Sequence, residues 1–154
     1  MPTEYFEDIK IGSSNEFGSK TVSLEEIVKF ATEYDPQPFH IDEEAAKDSI
    51  YEGIIASGWH TASMTMRMMV NHMISGRAGL GSPGVDNLRW FKPVRPGDTL
   101  RVRSEVLSKK QSKSRPEMGT IFGVTQVFNQ HDDMVMSFGT IGMTLLRPGS
   151  KSAD

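Results

Sequence analysis

The sequence predicts an α+β fold in which an antiparallel sheet curls around one long central helix, and three observations point to it. Helical signals dominate the first half of the chain, where a serine-led capping pattern opens an amphipathic segment near residue 24. Residues 58 to about 73 carry Trp59, Ala62, Met64, Met66, Met68, Met69, Val70 and Met73, which cover nearly the whole helical circumference and predict a helix buried on most sides. Beyond a glycine-rich break over residues 76–84 the periodicity changes from helix to strand. A helix that is apolar all round needs a wrapping, and a sheet with one apolar face needs a cover. Each half supplies what the other lacks.

The elements follow in order. The opening YFEDIKIGSS leads through a turn at residues 12–15 to a short strand near residues 18–22. Ser23 and Glu26 have capping-box spacing, and Ile27, Phe30, Ala31 and Tyr34 follow at helical intervals, so a helix runs from about 24 to 34. Pro36 and Pro38 stop it, because each lacks an amide donor and pushes the residue before it out of the α region. DPQPFH is therefore expected to be extended and stiff. A short helix is predicted within residues 41–49, with Asp42 as its N-cap and Glu43 and Glu44 in its first turn. Ser57 is the predicted N-cap of the central helix, which leaves the Gly58 amide without an intrahelical acceptor. Strands are predicted over 87–92, 99–107, 120–128 and 134–146, in an antiparallel meander punctuated by PVRPGD and NQHDD.

A chain of 154 residues fits one domain, large enough to bury about two-thirds of the surface its unfolded form exposes. The expected boundaries are residues 1–148 for the domain and 149–154 for a flexible tail. With 24% charged residues and a formal net charge of −3, nothing global suggests a nucleic-acid or membrane-surface partner. There are no cysteines, which excludes disulfides, thiolate catalysis and cysteine-ligated metal. No secretory signal is read at the N-terminus, and the longest apolar stretch is broken by Arg67, Asn71 and His72, short of the roughly 20 residues a membrane span needs. A cytoplasmic location is expected.

Several motifs have blander explanations. GLGSPG at residues 79–84 matches GxGxxG in letters but feeds a strand, and GIIASGWH lacks the Lys-Ser/Thr pair of a phosphate loop, so no nucleotide site is expected at either. His40, His60, His72 and His131 show no metal-ligand spacing, and no metal is expected. Lys109, Lys110, Lys113 and Arg115 are expected at a solvated hairpin tip, with contact to ligand phosphates as the other reading. The methionines are expected to fill the core.

Asp35 and His40 are harder to dismiss. An Asp and a His five residues apart often occur by chance, yet here two prolines fix the direction of both side chains. An imidazole beside a carboxylate can share a bound water at neutral pH, and a free amide at a helix start can receive developing negative charge. Asp35, His40 and the Gly58 amide are thus the candidate catalytic groups. Gln37, Ser57 and Trp59 flank them within the two motifs and are the candidate substrate-binding residues.

DPQPFH, then IIASG with a long helix behind it, then LRWFKPVRPGDTL, resembles the MaoC-like dehydratases and R-specific enoyl-CoA hydratases, a family with the hot-dog fold. The similarity runs from about residue 7 to 147. Asp35, Pro38 and His40 fall on the fixed positions of the family's DxNPxH pattern, with Gln37 in place of Asn and Ser57-Gly58 in place of His-Gly. The resemblance implies syn addition of water to a trans-2-enoyl thioester, or the reverse dehydration of an (R)-3-hydroxyacyl thioester. Asp35 and His40 would handle the water and Gly58 would donate to the thioester oxygen. It also implies a CoA or acyl-carrier-protein thioester as partner, no separate cofactor, and a homodimer with a continuous sheet. Two other functions stay open on sequence: a hot-dog thioesterase, and a non-catalytic acyl-thioester binding module.

Overall fold

The computed structural model describes residues 1–150. After a 3-10 turn at Phe6–Asp8 come β1 (Ser14–Thr21), α1 (Leu24–Tyr34), α2 (Pro38–Ile41), α3 (Glu43–Lys47) and α4 (Gly58–His72). A second 3-10 turn then leads to β2 (Val85–Trp90), β3 (Thr99–Gln111), β4 (Met118–Phe128) and β5 (Met134–Leu145). The strands form one antiparallel sheet in the order β1-β3-β4-β5-β2. The meander β3-β4-β5 is its centre, and the two strands that flank α4 in sequence form its edges. The chain has the α+β architecture expected, with the sheet curling over α4.

One row of paired residues crosses all five strands: Phe17, Val102, Val127, Met136 and Trp90. The first four are buried and pack in one core with Met64, Met68 and Met69 of α4. Trp90, at the sheet edge, is 43% exposed. Strand β1 is irregular between Phe17 and Lys20, where Gly18 takes φ +86 and lies so close to Met68 that a Cβ would stand 2.5 Å from its sulfur. Only glycine fits both demands.

Local chemistry explains the helix starts. The Ser23–Glu26 capping box forms as predicted, and Asp42 accepts from the amides of Glu44 and Ala45. Four expectations are corrected. DPQPFH is not extended throughout, because Pro38 occupies the first position of α2, where its fixed φ favours a helix start and its missing amide costs nothing. Helix α4 is not buried all round: Trp59, Met66 and Val70 are exposed on one face, while His60, Thr61 and Thr65 take places in the buried one. Lys109 and Lys110 belong to β3, which runs four residues beyond its predicted end, and only Lys113 and Arg115 sit in the hairpin. Strand β1 begins at Ser14, earlier than its pattern suggested.

Of the tail expected over residues 149–154, the last four lie outside the described residues. Among the described residues no helix is long and apolar enough to cross a membrane.

Candidate active site

Asp35 is placed by the end of α1. Its amide donates to Ala31 at 2.8 Å, and the backbone then leaves the helix, with φ −153 and ψ 65, as Pro36 requires. Five residues on, α2 turns His40 inward until only 4% of it is exposed. The His40 Nδ1 lies 2.7 Å from the carbonyl oxygen of Ile55. A carbonyl only accepts, so Nδ1 carries the hydrogen and Nε2 is the nitrogen free to exchange a proton. That Nε2 stands 3.3 Å from Asp35 Oδ2.

The carboxylate is held from three sides. Gln37 Nε2 donates to Oδ1 at 2.6 Å, Ser57 Oγ donates to Oδ2 at 2.7 Å, and His40 faces Oδ2 as well. Burial of Asp35 pushes its pKa up, but the Gln37 and Ser57 hydrogen bonds and the His40 ring outweigh that and hold it below the ordinary carboxylate value. Asp35 is therefore ionised at neutral pH.

Ser57 occupies the N-cap position of α4 but does not cap it with its hydroxyl, which is turned to Asp35 instead. Among the described residues the Gly58 amide has no acceptor. Above it lies the Trp90 ring: a Cβ on Gly58 would come within 2.4 Å of Trp90 Cε2. Trp59 meets the same ring edge to face at 5.1 Å.

A cleft of about 440 Å³ brings Asp35, Gln37, His40, Gly58 and Trp59 together with Trp90. Of the six candidates, Ser57 alone does not line it. Its side chain is fully buried behind Asp35, so its hydroxyl positions the carboxylate and makes no wall for a ligand. Trp90 and the Ile55 carbonyl were not singled out from sequence. Trp90 lies in the LRWFKP stretch, whereas a backbone carbonyl leaves no mark on residue identity.

The other histidines are elsewhere. His60 stacks on Phe30 at 4.6 Å between ring centroids and lines a separate cavity of about 610 Å³, with His72 farther along α4. Burial holds the His60 pKa below its ordinary value. No group of three His, Cys, Asp or Glu side chains suited to a metal ion occurs among the described residues.

The sequence profile of the MaoC like domain family matches residues 8–127, a span that contains every residue of the cleft. The chain belongs to this family. Within it, the chain is similar to the uncharacterized protein YdeM of Bacillus subtilis (strain 168), with 31% identity over 126 residues, 82% of this chain and 88% of YdeM. It is also similar to the (R)-specific enoyl-CoA hydratase of Rhodospirillum rubrum, with 35% identity over 98 residues, 62% of this chain and 65% of that protein. Among solved structures, the MaoC-like dehydratase from Rhodospirillum rubrum superposes with a TM-score of 0.84 at 38% identity, covering 94% of this chain and 99% of that one. A Mycobacterium tuberculosis protein described as a double hotdog fold superposes at 0.81 with 17% identity, covering 97% of this chain and 46% of that one. That likeness concerns the fold alone. The fold of this MaoC-like domain is the hot dog, as the sequence resemblance implied.

Proposed function

We propose that this MaoC-like domain is an (R)-specific enoyl-CoA hydratase or 3-hydroxyacyl-thioester dehydratase. The observation that carries the reading is the convergence, in one cleft, of the Asp35–His40 pair at 3.3 Å and the free Gly58 amide at the start of α4. The similarity to a named (R)-specific enoyl-CoA hydratase supports the same reaction class.

In this reading the labour is divided among the three groups. Asp35, held ionised by its hydrogen bonds from Gln37 and Ser57, is a weak base and orients the water, while His40 Nε2 takes its proton. The water oxygen bonds to C3 of the enoyl thioester as the 2,3 double bond opens toward C2. Charge that gathers on the thioester oxygen is received by the Gly58 amide, and loss of one such donor typically costs about 10²–10³ in rate. The imidazolium then returns the proton to C2 on the face from which the water came, which gives syn addition. The groups of this chain complete the cycle without a separate cofactor, and CoA or an acyl carrier protein arrives as part of the substrate.

The proposed assembly is a homodimer. β2 is an edge strand, and Trp59, Met66 and Val70 form an exposed apolar stripe on α4, at 58%, 49% and 37% exposure. A second copy would cover both.

Crotonyl-CoA tests the reaction. The expected result is loss of enoyl absorbance with no free thiol released. Thiol appearing as fast as substrate disappears would overturn the reading in favour of a thioesterase, and tight binding without turnover would leave a binding module.

A further inference from the structure

Side-chain hydroxyls within helices of this chain share one habit. Thr32, Ser63 and Thr65 each donate to the carbonyl four residues back, at 2.7, 2.8 and 2.8 Å. Thr61, on the first turn of α4, does not. The carbonyl it would use, that of Ser57, already accepts from the amides of His60 at 2.9 Å and Thr61 at 3.1 Å, so both of its lone pairs are engaged. The Thr61 hydroxyl has no hydrogen-bond partner among the described residues, although the residue is only 2% exposed. Thr61 lines the cleft that holds Asp35 and His40, and its hydroxyl oxygen is not among the atoms sealed from solvent.

A hydroxyl that opens only into the cleft is left unpaired when a ligand fills it without offering a polar atom, whereas a valine of the same shape would line the cleft at no such cost. Thr61 lies one helical turn beyond Ser57 on the same face, about 6 Å along the axis. Gly58, assigned to the thioester oxygen, lines the same cleft three residues earlier on α4, so a ligand group that meets Thr61 is taken to lie on the acyl side, beyond the carbons assigned to Asp35 and His40. The group it meets is uncharged. Among the residues that line the cleft the one lysine or arginine is Lys92, which is already paired with Asp133 at 3.1 Å, and the ionised Asp35 would repel a buried carboxylate.

We infer that Thr61 is a specificity-determining residue that selects thioesters whose acyl chain carries a hydroxyl or carbonyl oxygen beyond the reacting carbons, over plain alkyl chains. This deepens the hydratase reading and rests on it. The hydroxyl both donates and accepts, so either oxygen function satisfies it.

The test uses ω-hydroxy trans-2-enoyl-CoAs of increasing chain length, each paired with the thioester that carries a methyl in place of the hydroxyl. The wild-type protein is expected to favour the hydroxyl at the length that reaches Thr61, by about tenfold in kcat/KM, the size of one neutral hydrogen bond. Thr61→Val is expected to abolish or reverse that ratio, and Thr61→Ser to keep it. A ratio that favours the methyl at every length, or one that Thr61→Val leaves unchanged, overturns the inference. If no pair is hydrated by the wild type, the hydratase reading fails by itself. The inference is then read from the Kd of each pair, and equal affinities at all lengths sink it.

Discussion

The Ser57 hydroxyl, at the N-cap position of the central helix, donates at 2.7 Å to Asp35 Oδ2 and leaves the helix amides beside it uncapped. One residue thus does two things for the cleft. It holds the carboxylate ionised, and with its hydroxyl turned away the Trp59 amide, which a capping hydroxyl would reach, has no acceptor among the described residues.

Ser57→Ala should raise the Asp35 pKa, since the hydroxyl is one of the groups that lower it. The proposed reaction needs the carboxylate ionised, so the acid limb of the rate profile should move to higher pH. At neutral pH Asp35 stays ionised in either protein, so hydration should fall there only through looser positioning of the carboxylate, by up to about tenfold, the scale of one lost hydrogen bond. A pH series of crotonyl-CoA hydration checks both, and an unmoved acid limb would show that Ser57 acts only through packing.

Under the proposed mechanism, His40→Ala removes the proton acceptor and Asp35→Asn the charged group that orients the water. Each should lower hydration by at least roughly the 10²-fold typical of general acid–base groups. Because the proposal assigns both to the chemistry and neither to the acyl chain, kcat should fall more than KM rises. Steady-state kinetics on the two variants decides this, and turnover that survives both changes would remove the pair from the chemistry.

How far these groups could be read from sequence depended on how local their causes are. The Ser23–Glu26 capping box is a contact between near neighbours, so α1 was legible to the residue. The Asp35–His40 spacing was legible for the same reason, though the helical turn that brings them together was not, because Pro38 reads as a breaker until its place at the start of α2 is known. The bond from Ser57 to Asp35 spans 22 residues, and the local capping rule assigned that hydroxyl to the wrong partner. The exposed face of α4 was hidden for a different reason. An apolar residue such as Met66 looks alike in sequence whether it faces a core or a second molecule.

Met66→Glu and Val70→Lys place charges on that face without touching the core of the protomer, since both positions are exposed. If α4 and the β2 edge meet a second copy, either substitution should shift the protein toward monomer with little loss of protomer stability. Light scattering after size-exclusion chromatography measures this, and a monomeric wild type would refute the proposed dimer.

Gly58→Ala should be resisted by a single neighbour, for the added carbon would stand 2.4, 2.6 and 2.8 Å from three atoms of the Trp90 ring. Overpacking of this kind costs about 1–3 kcal/mol, so Tm should fall and tryptophan fluorescence should change as the ring shifts. Trp90→Ala in the same chain should relieve the clash and recover part of the loss in Tm. If the double variant is no more stable than the additive sum of the singles, the ring is not what forbids a side chain there.

His60 contributes a pH dependence to stability. Burial lowers its pKa, the Glu26 carboxylate opposes that shift and Lys20 adds to it, with a net value below the ordinary 6.5. A group whose pKa is depressed on folding binds more protons when the chain is unfolded, so stability rises with pH through that window. Above 6.5 the two states are alike and His60 contributes no slope. As pH falls below 6.5 the unfolded chain is protonated first, and the penalty grows until the folded pKa is passed. His60→Phe keeps a ring against Phe30, which stacks on His60 at 4.6 Å, and removes the titration. Its Tm should therefore exceed that of the wild type increasingly as the solution is acidified from about pH 7 to pH 5, a range set by the ordinary imidazole pKa. Calorimetry on both proteins across that range gives the answer. Parallel curves would mean that His60 is protonated as readily inside the fold as outside it.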